Sequence, residues 1–395
     1  MSTASKPIPP GGFIPKFHPR MLGSAAPVFP GFEVDILDRV SDQEREDAVW
    51  HRERAKAMVK AHPEIKTLFG NDPTTAFWCL AAAGMQLAIA VAVGFAPWWV
   101  MLLAAYVVGS SINIMLFQLG HECVHGLVFK SKRLNRLWFT FTTLPMFLSA
   151  HHTWWEEHLV HHNDMGAKKD FITRRRSYFL RTRLTSPLIV PYSLIMLVMQ
   201  VVRSVIGLVM YLGGLLLGHF KPSPRTLAVL ADEHLVSGYV KDGAERWAVW
   251  YPLVNLATCT ALFLIGGWQS VVYLLASQAF FTGFLHPYAL GWVLGISHFH
   301  GARRYQPTAS HYGWLVNLLS FNAGYHVEHH DLMTIPWRRM PALRRMAPEF
   351  YDDLEKIPSY TWLALQFVFA GPRYFEANFN HEAHRNAARF QDPAA

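Results

Sequence analysis

From Pro73 to Gly120, and again from Trp247 to Ala302, the chain contains no Asp, Glu, Lys or Arg. The two windows are 48 and 56 residues long, and a soluble core rarely extends so far without a charge. A membrane-spanning helix needs about 20 apolar residues, so each window holds two helices joined by a short turn. We therefore expect an all-α integral membrane protein with four transmembrane helices in two hairpins. The spans fall at about 75–95 and 98–119, then 247–266 and 268–296. The turns lie at "GFAPWW", where Pro97, Trp98 and Trp99 suit a membrane interface, and at "LIGGWQS".

The remaining charge is distributed as a membrane protein requires. Eleven Lys or Arg fall between Lys130 and Arg183, more follow from Arg303 to Arg345, and the two turns carry none. By the positive-inside rule the protein is multi-pass, with both termini, the long loops and the active site cytoplasmic. The net charge of +8 is thus a topology signal, and nucleic-acid binding is excluded. Cys79, Cys123 and Cys259 have no paired spacing and form no disulfide framework.

Residues 1–40 read as a disordered arm without a signal peptide, and 381–395 as a flexible tail. Between them, 41–72 form an interfacial or cytosolic helix, with Ser41 and Glu44 as a capping box, and 73–380 the membrane domain. "LNRLWFTFTTLPMFLSA", 134–150, is short and contains Pro145, and reads as re-entrant or interfacial. Residues 184–220 could span, but Arg203 sits in their middle, and an unpaired arginine at mid-bilayer costs a few kcal/mol or more. Helices on the membrane surface, with Arg203 at the headgroups, are the better reading.

Three histidine clusters carry the chemistry: "HECVH" at 121–125, "HLVHH" at 158–162 and "HVEHH" at 326–330. Helical spacing puts His121 and His125 on one face, and likewise His158, His161 and His162, and His326, His329 and His330. Eight imidazoles suit two metal ions. HECVH is also a literal H-E-x-x-H, the zinc-protease pattern. A zinc protease has no use for six further histidines, however, and an intramembrane one needs a distant aspartate, for which "KDG" at 241–243 is the one poor candidate. Glu122 is then a carboxylate beside the ligands, not a base. Imidazole binds iron, zinc, copper or nickel; of these readings a di-iron centre fits best, because breaking an unactivated C–H bond needs oxygen and a redox metal. His298 is the candidate ninth ligand, with His300 and His286 weaker. Glu157, Asp164, Asp170 and Glu328 are carboxylates that could orient the imidazoles. His18, His51, His62, His381 and His384 have no partners in the sequence and read as surface residues.

In order and spacing the clusters resemble the histidine boxes of the membrane fatty-acid desaturase and hydroxylase superfamily. A closer resemblance is to the sphingolipid (dihydroceramide) delta-4 desaturases. It rests on "HPEIKTLFGNDP" at 62–73, "GSSIN" at 109–113, "LHP" at 285–287, "FNAGYHVEHHD" at 321–331 and "EFYDDL" at 349–354, across most of residues 60–360. The resemblance implies a mushroom-like four-span fold with a cytosolic cap holding two irons. It implies oxygen as co-substrate and an external electron donor such as a ferredoxin or a cytochrome b5-like protein, for which Arg174–Arg176 or Arg338 and Arg339 could serve as a dock. The eight box histidines match position by position; His298 matches loosely; Asp170 and Asn322 align beside the ligands. Around the second box, in residues 30–60 and in 204–246 the chain departs from the family. The iron chemistry therefore carries over more firmly than the substrate. Lipid desaturation is the leading expectation. A fatty-acid decarboxylase forming terminal alkenes and a lipid hydroxylase are the alternatives on the same scaffold.

Overall fold

A computed structural model describes residues 46–146, 151–165, 198, 202, 205–207, 209–219, 244–282, 286–296 and 306–370. Among them the chain is helical and without strands. In order the helices are α1 (Glu46–Ala61), α2 (Thr75–Val93), α3 (Trp98–Val124), α4 (Lys132–Thr143), α5 (His151–Asp164) and α6 (Ala244–Thr282). Then come α7 (Pro287–Ile296), α8 (Trp314–Leu319), α9 (His326–Asp331), α10 (Met340–Met346) and α11 (Tyr360–Ala370). The chain divides into two compact units, one of Asn71–Leu159 with Leu188–Leu290, the other of Met1–Gly70, Val160–Pro187 and Gly291–Ala395.

The first unit holds the three helices long and apolar enough to cross a membrane: Thr75–Val93, Trp98–Val124 and Leu253–Phe281. Their outer faces expose Phe77, Leu80, Trp98, Leu103, Phe263 and Leu264, while Gln86, Asn113, Tyr273 and Gln278 are buried. That is the reverse of a soluble bundle. The Tyr273 hydroxyl donates to Gln86 Oε1 at 3.0 Å, and Gln86 Nε2 donates to Asn113 Oδ1 at 3.0 Å. Asn113 Nδ2 in turn donates to Gln278 Oε1 at 3.1 Å. In lipid the apolar surface gives helices no reason to associate, so such bonds and close packing do the work. Gln86 Nε2 also donates to the Gly109 carbonyl, at 3.1 Å. Gly109 closes a π-helical segment, Ala105–Gly109. Beside it the Ser110 and Ser111 hydroxyls donate to the carbonyls of Tyr106 and Val107.

α3 runs past the expected end at 119 to Val124, so the first histidine box lies in its last turn. It stops in a Schellman arrangement: Gly126 takes φ 68°, its N–H reaches the Cys123 carbonyl, and the Leu127 N–H reaches that of Glu122. The same corner holds the start of α2, since Asn71 Nδ2 donates to the Gly126 carbonyl at 2.6 Å and the Asp72 N–H to that of Leu127 at 2.7 Å.

α6 is 39 residues long but is broken at Gly267, whose φ of 73° is readily adopted only by glycine. Gln269 Nε2 ties this break to the turn between α2 and α3, donating to the carbonyls of Gly94 and Ala96 at 3.2 and 3.1 Å. Leu262 and Tyr273, on either side of it, share one apolar cluster with Ala90, Val93, Met101 and Ala105. The span expected at 268–296 is not one helix: α6 ends at Thr282 and α7 begins at Pro287. Proline lacks the N–H an uninterrupted helix would need there.

The segment expected to be interfacial forms α4 and a short 3-10 turn, Leu144–Met146; residues 147–150 lie outside the described residues. Ser131 caps α4, and Leu134, Leu137 and Phe141 form an exposed apolar stripe opposite buried Asn135, Phe139 and Thr142. Within 184–220 there is a short apolar helix, Val205–Leu216; Arg203 is outside the described residues.

In the second unit α1, expected as an interfacial or cytosolic helix, buries Asp47, Trp50, His51, Arg54 and Met58 along one face. Trp50 and Met58 pack with Ile65, Leu68, Val327, Ile335, Leu343 and Tyr351 in one core. Such burial stabilises by about 1.5–3 kcal/mol per large apolar side chain. α9 is launched by Phe321 and Asn322, both left-handed at φ 48° and 58°. These backbones cost on the order of 1–3 kcal/mol each. The Asn322 N–H bonds the Asn317 carbonyl, its side-chain amide bonds the Trp337 carbonyl, and Phe321 packs edge-on against the Trp337 ring.

Candidate metal centre

Each unit gathers histidines. In the membrane unit, His121 and His125 at the end of α3 meet His158 of α5. Their ring centroids are 4.5–5.0 Å apart, and the Nε2 atoms of His125 and His158 are 3.0 Å apart. In the other unit, His161 and His162 of α5 meet α9. His162 Nε2 lies 3.2 Å from His329 Nε2, the His162 ring stacks on His330 at 4.2 Å, and His161 and His326 each approach His330 at 5.3 and 4.5 Å. Six of these eight rings are buried; His125 and His326 are half-buried.

Two imidazole nitrogens bound side by side on one ion, each at about 2.0–2.1 Å, would stand about 3 Å apart. The two Nε2 pairs already have that separation. The donor set also fits, because carboxylates beside the third box are engaged elsewhere. Glu328 is fully buried and accepts from the Ser310 and Tyr312 hydroxyls, each at 2.7 Å. Burial pushes its carboxyl above the ordinary value, and those two bonds pull it back. Asp331 accepts from His51 and Arg54. What is left to face an ion is imidazole, which suits iron, zinc, copper or nickel.

The profile of the fatty acid desaturase family matches residues 96–363, and that of the sphingolipid delta4-desaturases matches residues 46–74. The chain belongs to the fatty acid desaturase family. Human sphingolipid delta(4)-desaturase/C4-monooxygenase DES2 is 30% identical over 324 residues, covering 81% of this chain and 88% of its own. A rice sphingolipid delta(4)-desaturase DES1-like protein is 28% identical over 321 residues, 80% of this chain and 86% of its own. The sphingolipid delta(4)-desaturase of Candida albicans is 28% identical over 343 residues, 81% and 82%. The protein is therefore an oxidoreductase, a membrane lipid desaturase.

Of the desaturase's expected site residues, the eight box histidines fall into the two groups above. His298, His300 and Asp170 lie outside the described residues, as does the Glu157 side chain. His286 is poorly suited to be the ninth ligand: its Nδ1 accepts the Ala289 N–H at 3.2 Å. That bond puts the ring proton on Nε2, whereas a metal-binding imidazole donates from the nitrogen that does not hold the metal. Asn322 serves the turn before α9 through its bond to Trp337. Glu122 is buried in α3, 3.9 Å from His121 Nδ1. Asp164 is buried.

The structure corrects the reading of His51 as a surface residue, and of both His51 and His62 as residues without partners. His51 is buried, with Nδ1 2.6 Å from Asp331 Oδ1 and Nε2 3.1 Å from the Thr308 hydroxyl. His62 pairs with Glu64 and Glu349. The signal for His51 was available: Trp50, His51, Arg54 and Met58 recur at the three- and four-residue spacing of one helical face.

Proposed function

We propose that this desaturase inserts the delta-4 double bond into the sphingoid chain of a ceramide-type lipid. The observation carrying the reading is that relatives from rice, yeast and human, similar over about four-fifths of the chain, are named sphingolipid delta(4)-desaturases. The match of the sphingolipid delta4-desaturase profile to 46–74 supports it from an independent segment.

The eight box histidines, with His298 as ninth ligand, hold two irons; the converging Nε2 pairs and the imidazole-only donor set support this. When bound, the iron pair supplies the redox chemistry. O2, two electrons, two protons and the two substrate hydrogens become two waters, leaving a carbon–carbon double bond. The electrons come from an external ferredoxin- or cytochrome b5-like donor. The protein's own share is positioning: the left-handed Phe321–Asn322 turn aims α9, and Ser310 and Tyr312 hold Glu328 away from the imidazoles. Asp170, which aligns with the family just after the second box, would orient the ligands. Four spans, with α6 reversing at Gly267, keep boxes and termini on the cytoplasmic side, and the exposed stripe of α4 rests in the interface.

A second reading has a specific observation behind it: the human relative is also named a C4-monooxygenase. One experiment separates the two. Membranes containing the protein are given deuterated dihydroceramide and, in parallel, a deuterated free fatty acid, with His161→Ala as control. Loss of two deuteriums from an intact dihydroceramide chain, absent in the control, is the expected result. Loss of one deuterium with gain of oxygen makes it a hydroxylase. A hydrocarbon one carbon shorter, formed only from the free acid, overturns the sphingolipid reading.

A further inference from the structure

Asp331 follows the last ligand of the third box directly, and an exposed carboxylate there would compete for metal. Both of its oxygens are instead taken by α1. His51 Nδ1 lies 2.6 Å from Oδ1, and Arg54 approaches Oδ2 through Nε at 3.2 Å and NH2 at 3.1 Å. Neither partner is a loose surface side chain, because Asp331, His51 and Arg54 are all buried. The far side of each is fixed as well. His51 Nε2 meets the Thr308 hydroxyl, the Arg54 NH2 donates to the Phe350 carbonyl at 2.6 Å, and the guanidinium lies over the Trp50 ring at 4.4 Å. The His51 ring also packs against the His330 ring, centroids 5.2 Å apart. α1 therefore touches the third box twice, through the carboxylate at its end and through a box imidazole.

We propose that α1 is a clamp on the third histidine box, with His51, Arg54 and Asp331 as positioning residues that set how firmly α9 retains metal. Buried ion pairs are poor sources of stability for their own sake, whereas partners outside the ligands that fix an imidazole's orientation change metal affinity about 10–100-fold. A buried carboxylate held by an arginine and a histidine on one helix does little for α1 that an apolar pair would not do. It does define the register of α9 against α1. The clamp also keeps Asp331 from becoming a ligand itself.

The inference rests on the metal-binding reading, and the test separates the two. The full chain is purified in detergent, loaded with iron, and assayed for release to a ferrous chelator and for its Mössbauer spectrum. His51→Leu and Asp331→Asn are expected to release iron about ten-fold faster than the unaltered chain, with an altered spectrum. His51→Asn, which keeps a donor near the Nδ1 position, is expected to restore slow release. If His51→Leu does not fold, Asp331→Asn against His51→Asn decides. A merely structural role would lower the melting temperature of iron-free and iron-loaded chains alike and leave release unchanged; that result overturns the clamp alone. An unaltered chain that binds no iron overturns the metal reading and the clamp with it.

Discussion

Two carboxylates sit within one turn of three box imidazoles, and each is held by partners of a different kind. Glu328 is held by two neutral hydroxyls, Asp331 by the His51 ring and the Arg54 guanidinium of α1. A third pairing, on the surface, responds to pH. His62 bridges Glu64 and Glu349, linking the 3-10 turn Pro63–Leu68 to Pro348–Phe350. The Glu349 hydrogen bond raises the His62 pKa above 6.5; Glu349, which desolvation would push up, is drawn below 4.5 by the His62 hydrogen bond. The His62 contribution is complete below the unfolded value of 6.5 and disappears as pH rises through the raised value. The Glu349 contribution is present above 4.5 and disappears as pH falls through the depressed value. The link is therefore strongest between those limits. Amide exchange in Pro63–Leu68, corrected for intrinsic rates, should be faster at about pH 8 than at about pH 5.5, and Glu349→Gln should abolish the difference. A variant that keeps the full difference would show that another group is responsible.

At the scale of elements, the membrane helices depend on close approach as much as on their polar chain. A Cβ on Gly109 would lie 2.0 Å from Ser277 Oγ, 2.8 Å from Ser277 Cβ and 2.9 Å from the Tyr273 hydroxyl. A rotamer change moves the Ser277 oxygen but not its Cβ, so Gly109→Ala must push α3 and α6 apart. We expect it to cost about 1–3 kcal/mol, read from denaturant unfolding in detergent. Gly84 of α2 is exposed and has nothing within 4 Å of its would-be Cβ. Gly84→Ala should therefore be neutral or stabilising by up to about 1 kcal/mol; equal losses at both positions would rule out the packing argument. These elements were largely legible in the sequence, because an absence of charge over 48 residues has few other readings. Both turns and all three boxes were legible for the same kind of reason, a local pattern with one physical solution. The buried face of α1 was legible only in the helical spacing of Trp50, His51, Arg54 and Met58; what it packs against was not. Burying His51 and Arg54 requires Asp331, which is 280 and 277 positions away, and no local pattern specifies that partner. The π segment was also invisible, since "AYVVG" has no composition that distinguishes it from ordinary helix.

For the whole molecule the number of crossings turns on Gly267. The first crossing pair returns the chain to its starting side, because the corner at Asn71–Asp72 is hydrogen-bonded to Gly126–Leu127 after α3. As one straight rod, the 39 residues of α6 would measure about 58 Å, nearly twice the roughly 30 Å of bilayer hydrocarbon. In the proposed four-span scheme, reversal at Gly267 instead gives two crossings. Gln269 already bonds the turn between α2 and α3, so both turns lie at the same end of this unit. Single cysteines test the scheme in a Cys259→Ser background, since Cys79 and Cys123 are buried. Phe95→Cys and Trp268→Cys occupy exposed positions at the two turns, and Lys60→Cys an exposed position at the end of α1. With a membrane-impermeant maleimide, the first two should react from the non-cytoplasmic side and Lys60→Cys from the cytoplasmic side. If Trp268→Cys reacts from neither side while Phe95→Cys reacts, the Gly267 break lies inside the bilayer. α6 then crosses once, and the third box faces away from the first two, where one metal site could not be built from all three.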